Sequence, residues 1–549
     1  MAAGTPIMQA REITRRFTHG GTAFTALDRL RYNARLMAWD DRLKDFKNRR
    51  ERARGMGGPE RLAKRAAEGR LNARERIDRL CDPGSFLEVG TFNVSDVPGQ
   101  EEATPADSKI AGFGTIDGRP AAVCSNDFTV LAATSSRVAS HKEAGLKALA
   151  VRRGVPIVYL AEAGGARMPD IMGAAGIASF GNSTYYGTRR RKVPMVTAVL
   201  GQAYGLPTWN ACLSDFVVML KGASMAVSGP RVLELATGEQ VSPEDLGGWK
   251  VHAEDTGFAD AVGETEDECL EIVKRFLAYL PSNATQPPPR AQAREPGGDL
   301  ATIADLVPEA RNRAYDMTQL LRTLADGGEL FSVKERFGRT IVTAFARLEG
   351  HPVGFLANQP MHKAGACDAD GCDKAISFLC LCDAFNIPLV FLHDVPGFFV
   401  GRDAERKRVA GKIITWMEAL GMVTVPRVSV IVRKTYGQAY FNMGGGGYAD
   451  LLVAWPTAEM SFMDPETGVN VVHGAELASL PPAERGQKRK ELIARWEWDT
   501  LPYGAAAKHL IDEVIDPADT RDLIARFLEL SRTKRAVGRH RLAGWPTEF

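Results

Sequence analysis

The sequence has few of the features that would direct it to a membrane, a metal ion or a nucleic acid. No apolar run in its 549 residues approaches the roughly 20 residues of a membrane-spanning helix. Its eight cysteines contain no CxxC pair, and 69 basic residues balance 67 acidic ones at a net charge of +2. Bulk electrostatic attraction to nucleic acid is therefore excluded, and the composition indicates a large globular enzyme.

The amino-terminal segment lacks the apolar stretch of a secretory signal, although it carries the chain's basic excess. Fourteen arginines lie between Met1 and Arg70, and the stretch from Met1 to Leu27 is rich in arginine and poor in acid. We expect a bacterial-type cytoplasmic protein, with a mitochondrial transit peptide as the alternative. Cys367, Cys372, Cys380 and Cys382 cluster on a strand-and-helix pattern, which favours buried reduced thiols over a metal site.

What the sequence does have is one pattern present twice. Val155-Pro156 begins an apolar run that ends in a Gly-Gly-Ala-Arg turn, and Ile387-Pro388 begins one that ends in Asp394-Val-Pro-Gly397. A second Val-Pro pair and then a Tyr-Gly pair follow each run at the same spacing, so that equivalent positions of the two copies differ in number by 232 throughout. This repetition indicates one supersecondary unit built twice.

Each copy is typical of a buried strand, a glycine turn, a helix, a second strand and a glycine turn that opens a helix. Backbone N–H groups at such turns, together with the helix dipole, stabilise negative charge. The repetition therefore predicts two sites for developing negative charge.

The segment boundaries follow from turn signals. Residues 1–57 are predicted as a basic helical extension, 58–290 as a first domain and 291–549 as a second, with a proline-rich linker over 281–298. Other predictions are the following: helices over 61–69 and 72–80, the second with Asn72 and Glu75 as a capping pair; hairpin turns at Asp117-Gly118 and Glu349-Gly350; and a closing amphipathic helix over 520–533.

Several motifs in order carry a resemblance to a known family. They are Gly69-Arg-Leu-Asn-Ala-Arg-Glu-Arg-Ile77, Gly112-Phe-Gly-Thr-Ile-Asp-Gly118, Asp127-Phe-Thr-Val130, Gly164-Gly-Ala-Arg167, Cys382-Asp-Ala-Phe-Asn-Ile-Pro-Leu389, Asp394-Val-Pro-Gly-Phe398, Arg433-Lys434 and Trp455-Pro-Thr-Ala-Glu459. The chain resembles, over about residues 58–540, the carboxyltransferase β subunit of biotin-dependent acyl-CoA carboxylases of the propionyl-CoA carboxylase type.

The resemblance implies an α/β fold: two tandem crotonase-like (ClpP/crotonase) ββα superhelix domains behind a helical N-terminal extension. It implies a coenzyme A thioester substrate on the first domain, carboxybiotin on the second, and active sites between two subunits of a hexamer. The chain has no Met-Lys-Met biotinylation hairpin and no ATP-binding carboxylase domain, so biotin is expected on a partner α subunit that carries biotin carboxylase and carrier domains. No metal is implied in this chain, and no protein general base, because the biotin enolate is expected to remove the α-proton.

The resemblance also implies site residues. The N–H groups of Gly205 and Leu206 are expected to form an oxyanion hole for the thioester enolate, and those of Gln438 and Ala439 a second hole for the biotin oxyanion. The family's Ala-Gly-Gly-Ala is here Tyr204-Gly-Leu-Pro207, and Pro207 has no N–H to donate. The acyl-CoA-binding residues are expected to be Gly164, Gly165, Ala166, Arg167, Tyr204 and Phe441, and the biotin-binding residues Val395, Pro396, Gly397, Phe398 and Gly437.

Individual residues leave alternatives open. Phe441 stands where the family has aspartate in the acyl pocket, and either reshapes that pocket or packs in a core. Arg167 either binds a CoA phosphate or holds its loop through a carboxylate. His393 is more consistent with a hydrogen-bonded strand-end histidine than with a proton carrier, and Cys367 is a weak candidate nucleophile. Asp464 and Glu466 replace a customary Met-Gly-Ala stretch, and the sequence assigns them no role.

Three functions remain from the sequence. The first is the carboxyltransferase subunit of an ATP-driven acyl-CoA carboxylase. The second is the corresponding subunit of a biotin-dependent decarboxylase or transcarboxylase that runs the same chemistry in reverse. The third is a non-catalytic acyl-CoA-binding paralogue, which the altered glycines motivate.

Overall fold

The structure, a computed structural model, describes residues 39–180, 191–531 and 541–545. The chain divides into two compact units, Met1–Gly55 and Met56–Phe549. In the first unit, helix α1 (Trp39–Arg54) has Asp40 and Asp41 in its first turn and Arg52 and Arg54 in its last, which suits the helix dipole. The predicted helical extension also includes residues 1–38, which lie outside the described part.

The second unit contains two eight-stranded sheets. The strands of the first are β1 (Leu87–Val89), β2 (Lys109–Ile116), β3 (Arg119–Asn126), β4 (Ile157–Ala163), β5 (Met195–Tyr204), β6 (Phe216–Leu220), β7 (Ser224–Ala226) and β8 (Ala261–Gly263). Those of the second are β9 (Phe331–Ser332), β10 (Ile341–Leu348), β11 (His351–Asn358), β12 (Leu389–Val395), β13 (Arg427–Tyr436), β14 (Leu451–Ala454), β15 (Glu459–Ser461) and β16 (Glu513–Val514).

Helices cover the sheets and connect their strands. The α-helices of the second unit are α2 (Pro59–Ala67), α3 (Ala73–Leu80), α4 (Arg137–Arg153), α5 (Met168–Ile171), α6 (Gly173–Phe180), α7 (Leu206–Cys212), α8 (Pro230–Thr237), α9 (Pro243–Gly247), α10 (Glu266–Tyr279), α11 (Met317–Leu324), α12 (Ala369–Ala384), α13 (Arg402–Arg406), α14 (Val409–Met422), α15 (Gln438–Asn442), α16 (Pro465–Ser479), α17 (Pro482–Asp499), α18 (Tyr503–Ala506) and α19 (Thr520–Leu530).

The two sheets have the same topology. The first has the order β1-β2-β3-β4-β5-β6-β8 with β7 on β5, and the second the order β9-β10-β11-β12-β13-β14-β16 with β15 on β13. In both, antiparallel pairing ends at the third strand and parallel pairing continues from there. The first and last residues of β4 and β12 differ in number by the same offset as Pro156 and Pro388, and so do those of β5 and β13. The predicted duplication is therefore present as a repeated fold.

Local signals in the sequence explain the framework. The hairpins β2–β3 and β10–β11 turn at Asp117-Gly118 and Glu349-Gly350, all four with positive φ, as the sequence predicts. At the start of α3, the Asn72 side chain accepts from the Glu75 N–H while Glu75 bonds the Asn72 N–H, which confirms the capping pair. Every residue of β4 and of β12 is buried, as apolar parallel strands covered on both faces require.

A continuous core joins residues of both sheets. Phe216 and Phe276 stack with ring centroids 4.3 Å apart, and Phe331 and Phe345 pack against Phe276. The edges of the two sheets also meet where Lys334 N–H donates to the Asp260 carbonyl at 2.9 Å. Both sheets lie in one compact unit, so that the division into 58–290 and 291–549 stays a prediction.

The carboxyl-terminal part holds a helix pair that the sequence analysis did not anticipate. Helices α16 and α17 pack closely, and a Cβ on Gly468 would approach the Trp496 ring to 2.2 Å. The closing helix, predicted over 520–533, ends at Leu530, and residues 532–540 are outside the described part. Across the described ranges, no helix is both long and apolar enough to cross a membrane.

Candidate active site

Two equivalent glycine turns follow the central strands β4 and β12. Gly165 has φ 117° and Gly397 has φ 132°, a backbone region that favours glycine. The next residue of each turn forms a bridge with the segment before the helix that precedes the strand, Ala166 with Ser135 before α4 and Phe398 with Cys367 before α12. The residues predicted for acyl-CoA, Gly164 to Arg167, and those predicted for biotin, Val395 to Phe398, thus occupy matching places in the two sheets.

A second pair of turns follows the neighbouring strands β5 and β13. Gly205 (φ 74°, ψ −118°) precedes α7, and Gly437 (φ 58°, ψ −140°) precedes α15. The first N–H groups of a helix have no partner inside it, so those of Leu206, Gln438 and Ala439 are placed to donate hydrogen bonds to an anion. A Cβ on Gly205 would lie 4.0 Å from the Gly165 Cα, so the two turns of the first sheet are adjacent.

The N–H of Gly205 has an acceptor inside the protein. It donates to the Ala226 carbonyl at 3.4 Å, and the N–H of Gly437 donates to the Ser461 carbonyl at 3.0 Å. These bonds hold each turn to the short strand β7 or β15. In this conformation Leu206 is therefore better placed as a donor than Gly205, the other residue predicted for the first oxyanion hole.

The strands β5 and β13 each carry a bulge shortly before the glycine turn that follows them. Ala161 pairs with Val199 and Ala163 with Ala203, so two steps along β4 correspond to four along β5. The pairs His393 with Ile431 and Val395 with Thr435 repeat this irregularity between β12 and β13. Bulges near active sites redirect the strand that carries them. Here they direct β5 and β13 into the Gly205 and Gly437 turns.

A buried carboxylate lies opposite each bulge, and neither one was predicted as a site residue from the sequence. Glu162 Oε2 is 2.5 Å from Arg65 and 2.8 Å from Arg76, and its Oε1 is 2.9 Å from Arg70. Burial alone would raise the pKa of Glu162, but the charges and hydrogen bonds of the three arginines outweigh it and lower the pKa below its ordinary value. Glu162 is therefore held ionised at neutral pH.

Asp394 is the equivalent carboxylate in the second sheet. Its Oδ2 lies 2.8 Å from Arg433 Nη2, and its Oδ1 accepts from the Lys434 backbone N–H at 3.2 Å. Arg433 in turn donates to the carbonyls of Pro308 and Arg313. The only signal in the sequence that could have found this pair is the constant offset of the repeat, which places Glu162 and Asp394 at the same position of the two copies.

Arg167 makes the contacts expected for the second of the two roles considered from the sequence, and its assignment to acyl-CoA binding stays a prediction. Its buried guanidinium lies 2.5 Å from Asp107 and 3.6 Å from Asp170, and it donates to the Thr134 carbonyl at 3.1 Å. These contacts hold the loop after β4 against the segment before β2. The structure gives no support to Arg167 as a phosphate-binding side chain.

His393 and Cys367 are both enclosed. His393 lies between the hydroxyl groups of Thr435 and Ser429, and burial lowers the pKa of its imidazole to about 3. Burial raises the pKa of the Cys367 thiol, so that the thiolate needed for nucleophilic attack is disfavoured. Neither residue has the properties of a proton carrier or a nucleophile.

The two tyrosines of the Tyr-Gly pairs are anchored through their hydroxyl groups. The Tyr204 hydroxyl is 2.9 Å from Ser224, and its ring packs where a Cβ on Gly229 would otherwise lie. The Tyr436 hydroxyl donates to Glu459 at 2.7 Å. Tyr204, predicted to contact acyl-CoA, therefore supports the turn from beneath.

Phe441 lies on the surface of the described chain beside the Gly437 turn. Its side chain is 39% exposed, and it packs edge-on against Tyr440 and over Gly446. A buried core position is therefore excluded for Phe441 in the single chain.

The structure gives roles to the two unassigned carboxylates. Asp464 caps α16 by accepting from the Thr467 N–H at 3.0 Å. Glu466 is exposed and pairs with Arg489 of α17 at 3.4 Å. Both stabilise the helix pair that follows β15.

The arrangement can stabilise two oxyanions through backbone N–H groups at equivalent turns. In the described ranges, no group of three or more His, Cys, Asp or Glu side chains is arranged to hold a metal ion. The fold and the duplicated turns define an α/β protein with two crotonase-like halves.

Comparison with known proteins gives the family. Residues 64–543 match the carboxyl transferase domain, and the chain belongs to this family. It is 35% identical over 510 residues to the carboxyltransferase subunit of propionyl-CoA carboxylase from Haloferax mediterranei, covering 91% of this chain and 98% of that one. It is 35% identical over 506 residues to the methylmalonyl-CoA carboxyltransferase 12S subunit from Propionibacterium freudenreichii subsp. shermanii, covering 90% and 95%.

A solved structure gives the same result. The crystal structure of transcarboxylase 12S, a hexamer assembly with methylmalonyl-coenzyme A and methylmalonic acid bound, matches with a TM-score of 0.85 and 34% identity over 91% of this chain and 96% of that chain. The protein is an acyl-CoA carboxyltransferase subunit.

Proposed function

We propose that the chain moves a carboxyl group from carboxybiotin to the α carbon of a short acyl-CoA of the propionyl-CoA class. The single observation that carries this proposal is the pair of matching turns at Gly205 and Gly437, each opening a helix. A thioester enolate needs one set of oxyanion donors, and the ureido oxygen of biotin needs another. Two turns built alike supply both.

The first turn takes the thioester and the second takes biotin. Leu206 N–H, beside the Gly164-Gly165 turn, stabilises the thioester enolate, while the N–H groups of Gln438 and Ala439 stabilise the biotin oxyanion. When bound, carboxybiotin would supply the CO₂ and, after decarboxylation, the base for the α-proton of the acyl-CoA, and the enolate held at Leu206 would attack that CO₂. In this scheme no side chain of the chain transfers a proton.

We further propose the surrounding assembly. Biotin arrives on a partner α subunit with biotin carboxylase and carrier domains, and the chain forms a hexamer, as the transcarboxylase 12S neighbour does. The first domain, 58–290, and the second, 291–549, each contain one complete sheet, which supports the proposed division. The cytoplasmic location expected from the sequence stays a prediction.

The test is transfer by the purified chain, alone and with its α partner. ATP- and bicarbonate-dependent carboxylation is measured across acetyl-, propionyl-, butyryl- and branched acyl-CoAs, and the mass in solution is measured in parallel. We expect an active oligomer, with the highest kcat/KM among the short acyl-CoAs. An active monomer would contradict the assembly, and absence of transfer to every acyl-CoA would contradict the function.

The reverse direction is the second candidate. Relatives at similar identity include the methylmalonyl-CoA carboxyltransferase 12S subunit and, at 33%, a methylmalonyl-CoA decarboxylase subunit from Propionigenium modestum. This candidate would be favoured if the chain transfers a carboxyl group from methylmalonyl-CoA to biotin but, together with its biotin-carrying partner subunit, gives no ATP-dependent carboxylation. A third candidate, a non-catalytic acyl-CoA-binding paralogue, requires that acyl-CoA binds and no transfer occurs in either direction.

A further inference from the structure

We propose that Glu162 and Asp394 are positioning residues, each of which sets the place of the oxyanion donors in its own half by fixing the bulge before the Gly205 or Gly437 turn. The proposal rests on the proposed function, because it assigns separate chemistry to the two turns. Neither carboxylate contacts substrate in this scheme. Each acts through the backbone of the neighbouring strand.

The two carboxylates occupy equivalent positions in the two sheets. Glu162 and Asp394 stand next to last in β4 and β12, immediately before the residues that start the glycine turns. Each faces the irregular stretch of the next strand, where two steps of one strand match four of the other. A carboxylate at this point contacts the part of β5 or β13 whose sheet pairing is interrupted.

The bulge of β5 is held by two arginines that also bind Glu162. The Leu200 carbonyl accepts from Arg70 at 2.8 Å and from Arg76 at 3.4 Å, and both arginines also bind Glu162. A Cβ on Gly201 would approach Glu162 to 2.6 Å and Arg70 to 2.5 Å, so a side chain at this position would displace the carboxylate or the guanidinium. Glu162 therefore gathers the cations that bind the bulge.

The matching bulge of β13 is held by other side chains. Val432, the equivalent of Leu200 in the repeat, has its carbonyl bonded by the Thr457 hydroxyl at 2.7 Å. Arg433, the equivalent of Gly201, supplies the cation for Asp394, and Asp394 also accepts the Lys434 N–H. The same bulge is thus held in both halves although its partners differ.

The position of each bulge affects the position of the oxyanion donors that follow it. Three residues separate Gly201 from Gly205 and three separate Arg433 from Gly437. A shift in the bulge therefore moves the turn, and a misplacement of about 1 Å at a reacting centre can cost about 10²-fold in rate. The bulge is present in both halves although different side chains hold it. This supports a role of the bulge itself in positioning the donors.

The first experiment separates the two halves by ligand. The probes are the nitroethyl thioether of coenzyme A, whose nitronate mimics the enolate, and the propyl thioether, which has no oxyanion. In Glu162→Gln we expect the preference for the nitronate over the neutral thioether to fall about 10²-fold. Affinity for the neutral thioether should stay within about twofold. Asp394→Asn should retain the nitronate preference of the unaltered protein.

The second experiment reads the other half. In transfer from methylmalonyl-CoA to free biotin, the carboxyl group leaves the α carbon, which takes the proton from biotin N1. Asp394→Asn should lower kcat/KM for biotin about 10²-fold. Two milder variants keep the carboxylates, since Arg70→Met loosens only the first bulge and Thr457→Val only the second. Arg70→Met should lower the nitronate preference less than Glu162→Gln does, and Thr457→Val should lower kcat/KM for biotin less than Asp394→Asn does.

The control is a buried carboxylate far from the turns. Asp326 binds Arg521 at 2.8 Å and caps the β10–β11 hairpin, at the end of the sheet opposite the glycine turns. Asp326→Asn should lower the melting temperature and leave both ligand readouts unchanged. All variants are compared as assembled oligomers.

The outcomes are distinct. Equal loss of nitronate preference in Glu162→Gln, Asp394→Asn and Asp326→Asn would show general loosening and overturn the proposal. The proposal would also be overturned if the ligand readouts were unchanged in Arg70→Met, in Thr457→Val and in any carboxylate variant that assembles. If no carboxylate variant assembles, unchanged readouts in Arg70→Met and Thr457→Val alone would overturn it. If the unaltered protein transfers no carboxyl group, the proposed function fails instead, whatever the variants do.

Discussion

Gly205 and Gly437 have almost the same backbone conformation although they lie in different halves of the chain. Their φ and ψ angles, 74° and −118° against 58° and −140°, lie in a region that side-chain-bearing residues rarely adopt. Each residue precedes a short helix and donates its N–H to a neighbouring strand, at Ala226 and Ser461. Conformation, hydrogen bond and following helix are repeated together, so the turn itself is the duplicated device.

Alanine at either glycine should disable one half of the reaction. We expect Gly205→Ala and Gly437→Ala to add strain of about 1–3 kcal/mol at these angles and to displace the N–H groups that follow. Gly437→Ala also brings a Cβ within 3.1 Å of the Phe462 carbonyl. Turnover should fall about 10²-fold or more. The KM for acyl-CoA should respond to the first change and that for biotin to the second.

Two helical glycines provide matched controls for this experiment. Gly145 in α4 and Gly411 in α14 have open space around the position of a Cβ. Alanine at either should retain turnover and raise the free energy of unfolding by about 0.5–1 kcal/mol. Retained turnover in Gly205→Ala or Gly437→Ala, measured on assembled enzyme, would contradict the assigned role of that turn.

The second oxyanion hole can be tested by deleting one backbone donor. Gln438 is the first residue of α15, a position that accepts proline without loss of the helix. Gln438→Pro should therefore fold and assemble but lose about 10²–10³-fold in turnover, because its N–H is gone. Gln438→Gly, which keeps the N–H, should retain substantial transfer. Equal turnover in the two variants would place residue 438 outside the hole.

Much of the framework could be predicted because local signals specify it. Asn72 with Glu75, and the Asp-Gly and Glu-Gly pairs, act within a few residues, and the internal repeat relates distant segments by its constant offset alone. The helix pair α16–α17 could not be predicted because the two helices meet where Gly468 lies against Trp496, a contact between distant residues that no local pattern indicates. The acceptor of the Gly205 N–H was missed for the same reason.

The charged networks could not be predicted from the sequence. Arg65 and Glu162 are 97 residues apart, and nothing in an arginine-rich helix says which of many carboxylates its side chains will meet. The alternatives for Arg167 stayed open until Asp107 was seen beside it. Equivalent positions of the two copies can also contribute differently. Gly201 leaves space for the guanidinium of Arg70, whereas Arg433 at the equivalent position supplies the guanidinium itself.

Substrate preference should respond to Phe441. Because its side chain is 39% exposed, Phe441→Asp should cost less stability than the about 3–5 kcal/mol of a buried phenylalanine. If Phe441 lines the acyl pocket, the ratio of kcat/KM between acyl-CoAs should shift by about 10–200-fold for each methylene-sized difference. Leu530→Asp, at an 81% exposed position on α19, is the control and should leave that ratio unchanged. An unchanged rank order of acyl-CoAs in assembled Phe441→Asp would mean that Phe441 only packs.

Stability should fall in mild acid because of His393. Burial lowers the pKa of this imidazole to about 3, whereas an unfolded histidine titrates near 6.5. Between these values the unfolded chain binds a proton that the folded chain does not, so the free energy of unfolding decreases as pH falls from about 6.5 to about 3. One buried histidine contributes up to about 5 kcal/mol over the whole range.

The measurement is urea unfolding at pH 7 and pH 5. His393→Gln keeps an amide that can bond Thr435 and Ser429, and its stability should depend less on pH than that of the unaltered protein by about 2 kcal/mol. His473→Gln, at a partly exposed position on α16, is the control and should follow the unaltered protein. Glu162 also contributes to the pH dependence of stability, at lower pH. Because its pKa is lowered in the folded protein, its ionised carboxylate stabilises the fold above about pH 4.5, and this stabilisation is lost as the pH falls and the carboxylate is protonated. If His393→Gln and His473→Gln show the same dependence between pH 7 and 5, the buried imidazole is not the group that destabilises the fold in mild acid.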